Sequence, residues 1–258
     1  MDIEPASRAC ESAASEQPAT DRATPYREVR YEHSRNFPLV LEHLGVSLLV
    51  STYQAGKLFV VGARQGSLAL SFHNFEQAMG VAAKSDRIAV GTRHQVWSLR
   101  SAPEIAPRLE PAGRYDGSFL ARASHFTGDI DAHELAWAGD KLWVVNTLFS
   151  CLCTLHEDFS FVPRWRPPFV TSLAPEDRCH LNGVAMGPDE RGMLSPQYVT
   201  ALAETDTHEG WRPNKATSGC LIHVQTGSTV ARGFAMPHSP RLHQRRIGML
   251  DSGTGRLV

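Results

Sequence analysis

The sequence predicts an all-β fold, a β-propeller, on three observations. Short strand-like runs, β-branched or aromatic, are separated by Gly, Pro and Asp roughly every 8–12 residues. A hairpin-like segment recurs five times, starting at Leu48, Ile88, Leu142, Tyr198 and Ile247, at intervals of 40, 54, 56 and 49 residues. A second repeat runs in phase with it: Met79-Gly-Val-Ala, His133-Glu-Leu-Ala, Asn182-Gly-Val-Ala and His238-Ser-Pro-Arg each precede one of the later hairpins. An inner strand, a hairpin and an outer strand repeated every ~40–55 residues is the pattern of a propeller blade. The competing reading is a β-sandwich with accidental self-similarity. Six blades are expected in the full-length form, with about four and a half present here.

The elements follow in order. Residues 1–35 are rich in Ala, Ser, Glu, Pro and Arg without apolar period, and read as a disordered leader. Residues 36–258 read as the propeller domain. Phe37-Pro-Leu-Val-Leu-Glu-His-Leu predicts a short helix ended by Gly45. Leu48–Val61, Ile88–Leu99 and Leu142–Leu155 are the hairpins of the first three units. Arg164-Trp-Arg-Pro-Pro-Phe169 reads as a stiff connection between blades. In the fourth unit an insertion rich in Gly, Trp and Pro follows Asp206, and the strand resumes at Cys220. The chain stops at Val258, inside the third strand of its fifth unit, so the domain is expected to be truncated at its C-terminus.

Composition bounds the function. Lys+Arg total 26 and Asp+Glu 27 in 258 residues, a net charge of −1. A near-neutral chain without a basic block argues against nucleic acid. No apolar run reaches the ~18–20 residues of a membrane helix, and the N-terminus lacks the apolar region of a secretory signal. Five cysteines, an odd number without a Cys-x-x-Cys, fit reduced thiols in a cytoplasm. Cys151 and Cys153 read as a buried same-face pair of small apolar residues.

Ligand sites of propellers lie over the central channel, at the starts of the inner strands. On the repeat, His133, Asn182 and His238 occupy one blade position, so three polar side chains from three blades converge on the axis. They are the candidate metal ligands, for one divalent cation, with Ca²⁺, Mg²⁺ or Mn²⁺ favoured by oxygen-rich surroundings. Asp129, Asp131, Asp177 and His180, on the loops feeding those strands, are the candidate catalytic residues, as supports or as base. Glu204, Trp211, Asn214, Lys215 and Arg241 are the candidate ligand-binding residues, with Trp211 closing over a ligand by stacking. For each of these the alternative is a local one: Asp and His capping turn amides, and a Trp packing on the blade below. Phosphate-loop, nucleophile-elbow and zinc-protease helix motifs are absent from the sequence.

The runs Asp177-Arg-Cys-His-Leu-Asn-Gly183, Pro237-His-Ser-Pro-Arg241 and Asp251-Ser-Gly-Thr-Gly255 together resemble a bacterial family of conserved hypothetical proteins, a domain of unknown function. Ser51–Leu58 and Trp165–Phe169 fit the same family, and the resemblance spans about Phe37 to Val258. It implies no activity, and it implies a chain that continues past the equivalent of Val258. More distantly, Asn182-Gly-Val-Ala and Ile247–Leu257 resemble repeats of the gluconolactonase and NHL-type six-bladed propellers. That resemblance implies one axial divalent metal held by Glu, Asn and Asp. Asn182 matches one such ligand, while His133 and His238 depart from the set.

The expectation is therefore a cytoplasmic propeller that binds a small polar ligand or a divalent metal over its channel, in the manner of a metal-dependent hydrolase. The alternative is a non-enzymatic scaffold for a peptide or protein. Neither a nucleic acid nor a membrane is expected as partner.

Overall fold

The computed structural model describes residues 29–258. Most of the predicted leader, and Cys10 with it, lies outside the described residues. The helix forms as the sequence implies: α1 spans Phe37–Leu44, buries Pro38 and Leu41, and ends where Gly45 takes a φ of 61°.

Eighteen strands then build five antiparallel sheets. The first sheet is β1 (Leu48–Thr52), β2 (Lys57–Arg64) and β3 (Ser67–Asn74), in that order. The second is β4 (Val81–Ala83), β5 (Arg87–Gly91), β6 (Gln95–Ser101) and β7 (Phe119–Phe126). The third is β8 (Ala132–Ala138), β9 (Lys141–Asn146), β10 (Cys151–His156) and β11 (Phe159–Trp165). The fourth is β12 (Leu181–Pro188), β13 (Leu194–Ala201), β14 (Gly219–His223) and β15 (Thr229–Phe234). The fifth is β16 (Pro237–His243), β17 (Arg246–Asp251) and β18 (Arg256–Leu257).

Each sheet is a blade, and β4, β8, β12 and β16 pack against one another in succession as the inner strands. The molecule is a β-propeller with five blades among the described residues. Five blades stand where about four and a half were expected, and the fifth has three strands, the third being β18, where Met249 and Val258 exchange both backbone hydrogen bonds, at 2.9 and 3.0 Å. In the first blade, β1 packs on β4 as β5 packs on β8, β9 on β12 and β13 on β16. It therefore stands at the second position of its blade, and the first sheet carries no inner strand among the described residues. Trp165 and the preceding Arg164 belong to β11, so the Arg-Trp-Arg-Pro-Pro-Phe segment is half strand and half connection.

Local sequence fixes the hairpins. Gln65-Gly66 joins β2 to β3, and Gln244-Arg245 joins β16 to β17; all four residues have positive φ, between 46° and 72°. Two positive φ values in a two-residue loop match the twist of the flanking strands.

Blades stack face to face, so the central strands are buried on both faces. Leu152, Leu181 and Ile222 are all fully buried, and each contributes roughly 1.5–3 kcal/mol. Double-sided burial explains why these strands read as continuous apolar runs. Cys151, Cys153, Cys179 and Cys220 are free, reduced and buried, as expected for packing residues. Burial pushes the Cys179 and Cys220 thiols up to about 12. No described helix is long and apolar enough to cross a membrane.

Candidate functional site

Four equivalent loops deliver the chain into the inner strands, and they share one backbone device. Gln77, Asp131, His180 and Met236 have φ of 49°, 49°, 49° and 55°. Each stands two residues before Met79, His133, Asn182 or His238 respectively. Left-handed conformations of residues other than Gly cost of order 1 kcal/mol and persist only where the surroundings enforce them. Here the enforcing contacts repeat. The carbonyls of Asp131, His180 and Met236 each accept a 3.3 Å bond from the residue that follows a middle strand: Thr147, Leu202 and Ser252.

This device brings three imidazoles together. The His133 ring lies 5.1 Å from that of His180, edge to face, and 5.9 Å from that of His238. His180 Nδ1 is 2.8 Å from Asp177 Oδ2. The same oxygen accepts a 2.9 Å bond from Trp211 Nε1, and the Trp211 ring packs on His180 with centroids 4.3 Å apart and planes tilted by 40°. Asp177 is an acceptor only, so His180 donates from Nδ1 and presents an unprotonated Nε2 in its neutral form. Trp211 covers one side of the imidazole and is itself buried.

The electrostatics keep most of this ring uncharged. Burial, reinforced by repulsion from His180 and His238, holds the His133 pKa at about 3. Burial also lowers that of His238, whose Nδ1 is 2.8 Å from the Met236 carbonyl. Burial, then the nearby Asp129 and Asp177 carboxylates, raise the Asp131 pKa against the pull of His180. Three buried polar atoms at these loops lack any hydrogen-bond partner: His133 Nδ1, Asp177 Oδ1 and Asn182 Nδ2. Buried polar groups are nearly always paired, so these are the atoms that a bound water or ligand would satisfy.

The structure thus assembles His133, His180, His238, Asp131 and Asp177, with Asn182 at the equivalent inner-strand position. Among the described residues no group of three or more His, Cys, Asp and Glu is arranged to hold a metal ion. Asn182 Oδ1 already accepts a 2.6 Å bond from the Thr200 hydroxyl, and its buried amide nitrogen is left without a partner.

The remaining candidates separate. Asp129 pairs with Arg93 at 3.8 Å on a half-exposed loop. Glu204 is tied to Arg232 and Thr229 of β15, and the Arg232 guanidinium holds its carboxyl below the usual range. Asn214 and Lys215 are exposed, and their carbonyls close backbone turns to Thr217, Ser218 and Met236. Trp211 is not a lid over a ligand; it is a buried support for Asp177 and His180. Arg241 reaches from β16 to Glu134 of β8 at 2.5 Å, and Glu134 also accepts from the Val184 amide at 2.8 Å. Burial pushes the Glu134 carboxyl up against the opposing pull of Arg241.

Sequence reading singled out neither Glu134, as the partner of Arg241, nor Thr200. A carboxylate inside an otherwise apolar inner strand, His133-Glu-Leu-Ala, was the available signal for Glu134. Two cavities, of about 400 and 450 Å³, lie elsewhere: one against the face of the first blade beside Arg64 and Arg114, one in the seam between blades two and three.

The family described as Domain of unknown function (DUF4915) matches residues 35–258, and the chain belongs to it. No curated protein matches the chain. Among solved structures it is similar to a streptogramin B lyase, with a TM-score of 0.44 and 9% identity over 79% of this chain and 72% of that one. It is also similar to a virginiamycin B lyase from Staphylococcus aureus (TM-score 0.43, 10% identity, 82% of this chain, 65% of that one). A glutaminyl cyclase from Myxococcus xanthus gives a TM-score of 0.39 and 14% identity over 78% of this chain and 79% of that one. At such identities no activity carries over.

Proposed function

We propose that the channel mouth binds a small polar molecule and that the Asp177–His180 pair moves a proton to or from it. One observation carries this reading: three imidazoles and a carboxylate from three blades meet at a point where buried polar atoms are left without partners. His180 is the proton-transfer group, because its free Nε2 is the basic nitrogen. Asp177 and Trp211 hold its tautomer and its orientation. His133 and His238, uncharged at neutral pH, line the site and bond the ligand without repelling a developing positive charge on His180. Asp131 is a second carboxyl placed to exchange a proton. The reaction class is a hydrolysis or another proton-coupled step on a polar substrate, in the cytoplasm.

The test is a thermal-shift screen of the purified protein against small polar acids, alcohols, esters and lactones, and against Ca²⁺, Mg²⁺, Mn²⁺ and Zn²⁺. Compounds that bind are then followed by mass spectrometry in D₂O. A ligand present at a hundredfold excess over its Kd stabilises by about 2.7 kcal/mol, worth roughly 5–10 °C in a domain of this size. The expected result is a compound whose shift and whose turnover or deuterium uptake are lost in His180→Ala. A response to a divalent cation that is lost in His133→Ala supports instead a metal held by His133 and His238. If neither a compound nor a cation moves the melting point, the reading fails in favour of a peptide-binding scaffold.

A further inference from the structure

The inner strands of blades three, four and five share an irregularity. β8 sets Ala132 and Leu135 against Asn146 and Val144, three steps against two. β12 sets Leu181 and Gly183 against Ala201 and Thr200, two steps against one. β16 sets His238 and Arg241 against Leu250 and Gly248, again three steps against two. Each strand therefore carries one extra residue just inside the channel mouth, the arrangement by which a β-bulge re-aims side chains. In β16 the cross-strand partners are two apart, so His238 and Arg241 lean to the same side of the strand.

The Val184 amide shows where Glu134 and Arg241 meet. β12 pairs with β13 along one edge, yet the Val184 amide donates to Glu134 Oε2 at 2.8 Å. An amide of an innermost strand that bonds outside its own sheet points away from that sheet, into the channel. The Glu134 carboxylate therefore lies on the channel wall, against the backbone of β12. Gly183 leaves it room: a Cβ there would stand 3.1 Å from Glu134 Oε2 and 2.4 Å from Pro240 Cδ. From the other side of β12, Arg241 Nη2 reaches Glu134 Oε1 at 2.5 Å, and Nη1 donates to the Pro240 carbonyl at 2.8 Å. These bonds use two of the five N–H groups of the guanidinium. Among the described residues nothing else bonds it. The Glu134 side chain is 12% exposed and that of Arg241 63%, so the carboxylate is enclosed while the guanidinium stays open to a ligand.

We propose that Arg241 anchors the acidic group of the ligand, so that the channel takes a small hydroxy acid, its carboxylate on Arg241 and its hydroxyl toward the imidazoles. This names the substrate class of the channel mouth and rests on the reading of that mouth as a ligand site. Glu134 directly follows His133, and Arg241 stands three residues beyond His238. The anchor is therefore roughly 3–10 Å further along the inner strands than the rings, the reach of a chain of a few carbons. A hydroxyl suits the other end, because the unpartnered atoms there include an acceptor, Asp177 Oδ1, and a donor, Asn182 Nδ2. The acid is a carboxylate and not a phosphate. The guanidinium is already offset by Glu134, and Asp131 and Asp177 stand at the mouth, so a doubly charged group meets too much negative charge. A planar, singly charged carboxylate matches the planar donor fork of the guanidinium.

The probes are glycolate, 4-hydroxybutyrate and 6-hydroxyhexanoate, each beside its neutral amide, titrated at neutral pH and low salt and followed by saturation-transfer NMR. At least one acid is expected to bind about tenfold tighter than its amide. Arg241→Gln is expected to erase that preference. Because it strands the buried Glu134 carboxylate without its cation, it is paired with the double variant Glu134→Gln, Arg241→Gln, which removes both charges. The double variant is expected to unfold cooperatively like the parent and to bind acid and amide alike. His180→Ala is expected to keep the preference for the acid, which separates the anchor from the proton transfer assigned to His180. Equal affinity for acid and amide in the parent, or a preference that survives the double variant, overturns the proposal. So does a preference lost in His180→Ala, which would place the carboxylate at the imidazoles. If the acids fail to bind while an ester or alcohol binds and its turnover or deuterium uptake is lost in His180→Ala, the anchor is wrong and the channel-mouth reading stands.

Discussion

Replacing His133 by Gln tests whether the centre of the channel cluster is built to exclude charge. In the unfolded chain the imidazole titrates at its ordinary 6.5, whereas in the native protein burial and two neighbouring imidazoles hold it at about 3. The unfolded state therefore binds the extra proton first as the pH falls, so this residue's share of stability is complete above pH 6.5 and is lost on acidification until about pH 3. At pH 5 the loss is about 2 kcal/mol, and at pH 7 it is about 0.2 kcal/mol. His238, lowered by burial, acts in the same direction in both proteins. Urea unfolding followed by tryptophan fluorescence at pH 7 and pH 5 gives the fall in stability for each. His133→Gln removes the titrating group, so its fall should be smaller than the parent's by about 2 kcal/mol, or roughly 4–8 °C in melting temperature. If the two proteins lose the same stability within about 0.5 kcal/mol, His133 is not held neutral by its surroundings.

Trp211→Phe keeps an aromatic ring against His180 but removes a donor from the buried Asp177 carboxylate. A charge-assisted bond of this kind is worth about 1.5–3 kcal/mol, and equilibrium urea unfolding should show a loss in that range; a loss below about 0.5 kcal/mol would mean the bond contributes little. Gly183→Ala places a Cβ 2.4 Å from Pro240 Cδ and 2.7 Å from Thr200 Oγ1, where the inner strands of blades four and five meet. Overpacking of this kind costs about 1–3 kcal/mol, whereas Gly117→Ala meets nothing within 4 Å and should leave the melting temperature unchanged.

The legible parts of the site were those set by repetition. His133, Asn182 and His238 share a blade position in the sequence, and the rings of His133 and His238 do meet. The less legible parts were partnerships between distant segments. Nothing local ties Asp177 to Trp211, 34 residues on, so the Trp read as a lid and proved to be a buried support. Glu134 and Arg241 meet only because β8 and β16 both lie on the inner ring. Glu204 read as a ligand-binding residue, but Arg232 and Thr229 on the outer strand of its blade claim its oxygens. The left-handed backbone at Asp131 and His180 had only a weak sequence signal, because Asp and His are enriched in that region but far less than Gly.

What the sequence by itself determined was the blade: its apolar strands, its turn residues and its period, each a consequence of local propensity and of which faces must be buried. The order of strands and the start of each inner strand follow from the same pattern. What only the tertiary structure decided was how equivalent loops from different blades share space. Which imidazole stays neutral, which carboxylate is doubly bonded and which seam is left unfilled depend on neighbours far away in the chain. Desolvation and packing act through distance in space, and sequence spacing does not encode that distance until the blades are stacked.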